Sequence, residues 1–216
     1  MRIVGIGAGG HARVLLETLQ ARGDVEVIGL LDADPAMKGE TVLGVSVLGT
    51  DDLLAGLRRD GVTHAFIGVG GTGDNEPRRR VFELARRSGL ELLSVVHPSA
   101  VMSPSAAVGE GTCVCAGAIV AAGARLGCNV IVNTGAIVEH DCVIGDHAHV
   151  ASGAVLAGGV IVGEGAHIGA GASVKQGVHI GVNSVVALGA AVIDDVADRM
   201  TVGGVPARPM RARVDA

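Results

Sequence analysis

Apolar and polar positions along the chain follow two patterns that meet near residue 95. Before that point the apolar runs RIVGI, EVIGLLD, HAFIGVG and ELLSVV alternate with the amphipathic stretches HARVLLETLQAR, DDLLAGLRRD and EPRRRVFELARRSG. Strand followed by helix, repeated, predicts a parallel sheet with crossover helices, a Rossmann-like α/β domain. From Val96 onward the helical period is lost, Pro98 and Pro104 mark the junction, and Gly, Ala and Val take over. The change predicts domains at 1–95 and 96–216, the second ending in a tail.

The second half is an internal repeat. Set in sixes from Val108 it reads VGEGTC, VCAGAI, VAAGAR and onward through fifteen hexads to VIDDVA, with no insertion. Every hexad begins with Val, Leu or Ile, and its fifth place is Ala, Val, Thr, Ser or Cys. The aliphatic points into a narrow core, and the small residue fits where walls converge. The fourth place is Gly ten times, Asn twice, Asp twice and His once, the residue types that best tolerate positive φ at a turn. Three hexads close a triangular rung, so the chain predicts about five rungs of an all-β parallel coil. The same register disposes of a membrane span at residues 176–193, which lack Asp, Glu, Lys and Arg and would be long enough to cross. Gly and Asn at its turn places, in phase with its neighbours, make it coil wall.

Composition narrows the ligand. The 216 residues are 49% hydrophobic, enough for a sizeable core. Seventeen basic residues against 22 acidic give a net charge of -5 with no long run of either sign, which favours a small molecule over nucleic acid or an anionic membrane. The N-terminus MRIVGIGAGG lacks an apolar signal core, so a cytoplasmic protein is expected. Cys113, Cys115, Cys128 and Cys142 form no C-x-x-C pair and fit unpaired thiols in a reducing compartment, with Cys142 a small buried residue.

Two segments carry candidate chemistry. In GIGAGG, Gly5, Gly7 and Gly10 lie between a strand and a helix, where backbone N–H groups can approach a phosphate. Asp32 stands where a dinucleotide fold places a ribose-binding acid. A domain this short has no second mononucleotide-binding half, which argues against a nicotinamide enzyme. The second segment, VEHDCVIGDHAHV at 138–150, holds three of the eight histidines. The hexad register separates them. His140 takes a third place at a corner, facing solvent or a neighbouring subunit; His147 takes a turn place; His149 and His167, eighteen residues apart, stack on one face. Pointing along different walls, they are not expected to bind a metal.

The GAGGH segment, the Glu-His-Asp of VEHDCV and the closing G-V-P-A-R together resemble the bacterial nucleotide-sugar acetyltransferases of the hexapeptide-repeat superfamily. That family includes the sialic acid O-acetyltransferases and the bacillosamine-pathway and perosamine N-acetyltransferases. The resemblance covers nearly the whole chain and implies a left-handed parallel β-helix, a homotrimer, and acetyl-CoA as donor without a metal. It implies that Gly9, Gly10, His11, Asp32, Gly68 and Gly70 line a nucleotide-sugar pocket and that Asn133 touches the substrate. His140 would be the general base, with Asp141, where the family usually has Glu, or else Glu139 orienting it. His149, Gly169, Ala170 and Arg208 would contact acetyl-CoA, although Arg208 also reads as a solvated tail residue. The implied reaction is N-acetylation of a nucleotide-linked amino sugar. O-acetylation of a sialic-acid-like sugar and noncatalytic nucleotide-sugar binding remain alternatives.

Overall fold

A computed structural model describes residues 1–210; the last six residues of the expected tail lie outside the described residues. In the first half β1 (Arg2–Ile6), β2 (Glu26–Leu31), β3 (Thr41–Val42), β4 (Val45–Gly49), β5 (His64–Ile67) and β6 (Glu91–Leu92) form one sheet in the order β3-β4-β2-β1-β5-β6. The pairs are parallel except the β3–β4 hairpin. Helices α1 (Gly10–Arg22), α2 (Leu54–Arg59) and α3 (Glu76–Arg87) connect the strands. α1 buries Ala12, Leu15, Leu16 and Leu19, the i, i+3, i+4, i+7 stripe of an amphipathic helix. It stops at Gly23, whose φ of 70° closes the end with a bond to the Leu19 carbonyl.

The second half is a triangular parallel coil of two-residue strands. Each strand joins the sixth place of one hexad to the first of the next, and each pairs with the strand eighteen residues on, Ile131 with His149 and His149 with His167 on the first face. First-place residues from Val114 to Val192 are buried, as are the fifth-place residues, including Cys142. Fourteen of the fifteen fourth places have φ between 53° and 71°. The exception is Asp195, whose Oδ1 instead accepts a hydrogen bond from the His179 N–H. The charge-free stretch 176–193 is coil wall, and no helix among the described residues is long and apolar enough to cross a membrane.

The coil starts two hexads earlier than the repeat suggested. ELLSVV is not one strand: Leu92 ends the α/β sheet, and Val95–Val96 pairs with Cys113–Val114 as the first coil strand. The register runs on backwards, with Val96 and Met102 in first places and Ala100 and Ala106 in fifth places. What hid it was serine at the fourth places. The Ser99 and Ser105 hydroxyls accept from the Gly117 and Gly123 N–H groups at 3.1 and 3.0 Å. Higher up, third-place carbonyls do this, as Ala122 does for Asp141.

The α/β domain packs on its own coil. Leu15, Leu16 and Leu19 share a core with Val95, Cys113 and Ile131. Arg78 of α3, 1% exposed, donates to the Ile67 and Val69 carbonyls of its own domain and to the Gly111 and Asn129 carbonyls of the coil.

Candidate active site

Two cavities adjoin at Gly71 and Thr72, one in the α/β domain and one between that domain and the coil. The first, about 440 Å³, is lined by Gly9, Gly10, His11, Asp32, Gly68 and Gly70, six residues the family resemblance grouped together. A Cβ on Gly9 or Gly10 would meet open space. Their bareness leaves the N-terminus of α1 uncovered, with unpaired N–H groups and the positive end of the helix dipole facing the cavity. Gly7 has a different reason to be glycine: its φ is 103°, and a Cβ would strike the Gly68 carbonyl carbon. The Asp32 carboxylate is already engaged at this wall. Its Oδ2 accepts from the Ala8 N–H at 2.8 Å and its Oδ1 from the Asp34 N–H at 3.0 Å, bracing the glycine loop. His11 reaches from the same cavity to the coil, its Nε2 lying 3.5 Å from the Cys113 sulfur.

The second cavity, about 500 Å³ and mostly apolar, lies where the loop Gly71–Gly73 overhangs the coil's first face. Asn133, His149, Gly169 and Ala170 line it together with His167 and Leu188, and Gly71 and Thr72 border both cavities. The overhanging loop makes this stretch of coil wall concave. His149 is 6% exposed, with Nδ1 2.9 Å from the Gly71 carbonyl oxygen and Nε2 3.2 Å from the Asn133 amide nitrogen. The carbonyl can only accept, so Nδ1 carries the proton and Nε2 is the acceptor. Burial, with His167 and His11 adding like charge, pushes its pKa down to about 3. The ring is therefore neutral, edge-to-face with His167 at 4.9 Å.

His140 and Asp141 stand elsewhere. They occupy the corner between the second and third faces, whereas Asn133, Gly169 and Ala170 occupy the corner between the first and second. The His140 side chain is 56% exposed, and its Nδ1 donates to Asp141 Oδ2 at 2.9 Å. Glu139 accepts only from the His140 backbone N–H, at 3.2 Å. Of the two candidates for orienting the ring, Asp141 is the one that touches it. Its shorter reach is offset by its turn place, where φ of 59° folds the carboxylate back toward the preceding residue. The Asp141 hydrogen bond raises the imidazole pKa. His147, by contrast, is buried at a third corner against Phe82 and bonded to Asn129.

Arg208 lines neither cavity. It lies beside the last coil turn with its guanidinium 3.6 Å from Asp194. No group of three or more His, Cys, Asp or Glu side chains among the described residues could hold a metal ion.

With this geometry in view, residues 2–85 match the PglD N-terminal domain family and residues 123–158 the bacterial transferase hexapeptide (six repeats) family. The chain is 42% identical to perosamine N-acetyltransferase from Caulobacter crescentus over 98% of both chains, with a TM-score of 0.93. It belongs to the bacterial nucleotide-sugar acetyltransferases of the hexapeptide-repeat superfamily. That Caulobacter enzyme was solved with CoA and GDP-perosamine, once as a histidine-to-asparagine variant. The acetyltransferase domain of PglB from Neisseria gonorrhoeae FA1090, solved with acetyl coenzyme A, is 38% identical over 97% of this chain and 98% of that one, TM-score 0.88. UDP-N-acetylbacillosamine N-acetyltransferase of Bacillus subtilis (strain 168) is 41% identical over 116 residues, a match spanning half the length of that relative.

For this acetyltransferase, the seam residues are what sequence reasoning missed. Asn75 donates to the Gly165 and Ala166 carbonyls, and Arg78 bolts α3 to the coil. The signal was present: Arg78, Phe82 and Ala85 fall on one helix face at i, i+4 and i+7, so the helical period puts an arginine among core positions.

Proposed function

We propose that this acetyltransferase moves the acetyl group of acetyl-CoA onto the amino group of a nucleotide-linked sugar, and that His140 is the general base. The sugar's nucleotide would lie in the glycine-lined cavity with its phosphates at the α1 N-terminus. The acetyl-CoA arm would lie in the adjoining apolar cavity against Asn133, His149, Gly169 and Ala170. The amine nitrogen attacks the thioester carbon and loses a proton to His140 Nε2, while Asp141 steadies the imidazolium. Collapse of the tetrahedral oxyanion expels the CoA thiolate, which takes a proton and leaves as free thiol.

The observation that carries this reading is the seam itself: an anion-binding helix terminus opening into an apolar cavity, on a chain whose relatives bind a nucleotide sugar and CoA. His140 sits at a different corner from those cavities. We therefore include assembly: a homotrimer, in which the His140 corner of one subunit meets the cavity corner of the next. Sedimentation is expected to give three copies.

Thiol release measured against a panel of UDP- and GDP-linked sugars tests the reaction. Release is expected only with an amino sugar; release with a hydroxyl sugar alone would favour O-acetylation, and binding without release a sensor. Within that assay, His140→Ala should lower kcat by roughly a hundred- to ten-thousandfold, the range general-base catalysis supplies. Unchanged turnover in an intact oligomer would remove His140 from the mechanism.

A further inference from the structure

We infer that Gly158 is a positioning residue for His140: its missing side chain is the shape that keeps the imidazole against Asp141. The inference rests on the proposed role of His140.

The third place of the hexad tolerates almost anything. Across fifteen hexads it holds Glu, Ala, Cys, Thr, His, Asp, Ser, Gln, Val and Leu, and glycine once, at Gly158. Backbone conformation does not demand that glycine, because Gly158, unlike Gly159 with φ of 68°, is outside the positive-φ region. What lies against it is the ring. Gly158 lies one rung above His140 in the coil, and a Cβ there would be 2.5 Å from His140 Cε1, closer still to Nε2, and 3.1 Å from Cδ2. The ring therefore rests on bare backbone. The partner carboxylate is held in the same way from the rung below, where a Cβ on Gly123 would be 2.6 Å from Asp141 Oδ1. Gly123 has φ of 71° and must be glycine for its turn as well. Gly158 has only the ring to explain it.

This matters because the pair is exposed. The side chains of His140 and Asp141 are 56% and 73% accessible, and an exposed hydrogen bond by itself holds two side chains weakly. Confining the ring between a glycine and its carboxylate lowers the number of rotamers that compete with the bonded one. The charged groups facing the ring are Asp141 and Glu139 of its own rung. The neighbouring rungs present Ala122 and Gly123 on one side and Gly158 and Gly159 on the other, none of them titratable.

Gly158→Ala is the test, since Ala116, Ala122 and Ala170 already occupy third places in this coil. The methyl should push the ring off Asp141. The imidazole pKa, followed by NMR in histidine-labelled enzyme and assigned by its loss in His140→Ala, should then fall. The acid limb of kcat should move to lower pH, and kcat should drop at least about tenfold with KM for both substrates little changed. An unshifted His140 titration overturns the inference whatever the kinetics do. A shifted titration with unaltered kcat leaves the positioning intact and removes the general-base reading. Should Gly158→Ala fail to fold, the double variant with His140→Ala decides: folding regained means the methyl struck the ring, and folding still lost overturns the inference.

Discussion

Two histidines nine residues apart are driven in opposite directions by their surroundings. His140, exposed, is raised by Asp141, whereas His149, buried beneath Gly71, is pushed down to about 3. Such separation of titratable groups divides roles: His140 is made the more basic of the two by Asp141, and His149 stays neutral as a hydrogen-bonding wall residue. The hexad register predicted that the two would point different ways, but it could not predict the pKa of His149. That follows from its burial in the folded chain, with His167 and His11 adding like charge, against the opposing hydrogen bond to the Gly71 carbonyl, 78 residues away in sequence. A consequence for stability can be measured. An unfolded imidazole titrates near 6.5, so below that pH the unfolded chain binds a proton that folded His149 refuses. The stability contributed by neutral His149 is complete above about pH 6.5 and is lost as pH falls toward 3, by about 1.4 kcal/mol per pH unit within that window. Denaturant titrations at several pH values should show a shallower slope in His149→Gln than in the parent between pH 6 and 4. Equal slopes would contradict a neutral, buried His149.

At the scale of the element, the hexad is the unit of specification. Its first and fifth places were legible because nothing but burial acts on them, and burial repeats with the same period on every rung. Ile144, 1% exposed at a first place, illustrates the consequence: Ile144→Ala should cost about 2–5 kcal/mol, toward the upper end because a stacked coil cannot collapse sideways to fill the void. Urea unfolding checks it, and a cost below about 1 kcal/mol would mean that the rungs are loosely packed. The fourth place was legible as a positive-φ turn at every Gly, Asn, Asp or His that marks it except Asp195. It was illegible at Ser99 and Ser105, where a hydroxyl does the hydrogen bonding by another route. The helices followed the same rule: α3 was evident from its period, yet the arginine on its buried face reads as one charge among many.

At the scale of the molecule, Arg78 decides how the two halves sit. Its guanidinium is fully buried without a carboxylate and is satisfied by four carbonyls, two from each domain. Burial of this kind is tolerated because four of its five N–H groups find acceptors. Two of those carbonyls, Ile67 and Val69, flank Gly68 at the glycine-lined cavity, so the same side chain braces both the seam and the wall of that cavity. Arg78→Met keeps the bulk and removes the donors. It should lower stability by about 3–5 kcal/mol and raise KM for the nucleotide sugar more than KM for acetyl-CoA. Parent-like stability together with parent-like KM values would show that the apolar seam suffices without it.

What the sequence determined by itself was everything periodic or local: a strand–helix half, a coil half, the inward and turn places of each hexad, the glycine-rich turn, and a corner histidine beside a carboxylate. These are legible because burial and backbone sterics act through spacing along the chain. Tertiary structure decided the rest. The loop Gly71–Gly73 meets His149, Asp32 spends its carboxylate on the glycine loop, Asp141 rather than Glu139 takes the imidazole, and Gly158 comes to lie against it. Each of these joins groups by direction and distance in space. One strand spacing separates residues eighteen apart in the coil, and the seam joins Arg78 to Asn129, 51 apart, and Asn75 to Gly165, 90 apart, separations at which chain order carries no geometric information.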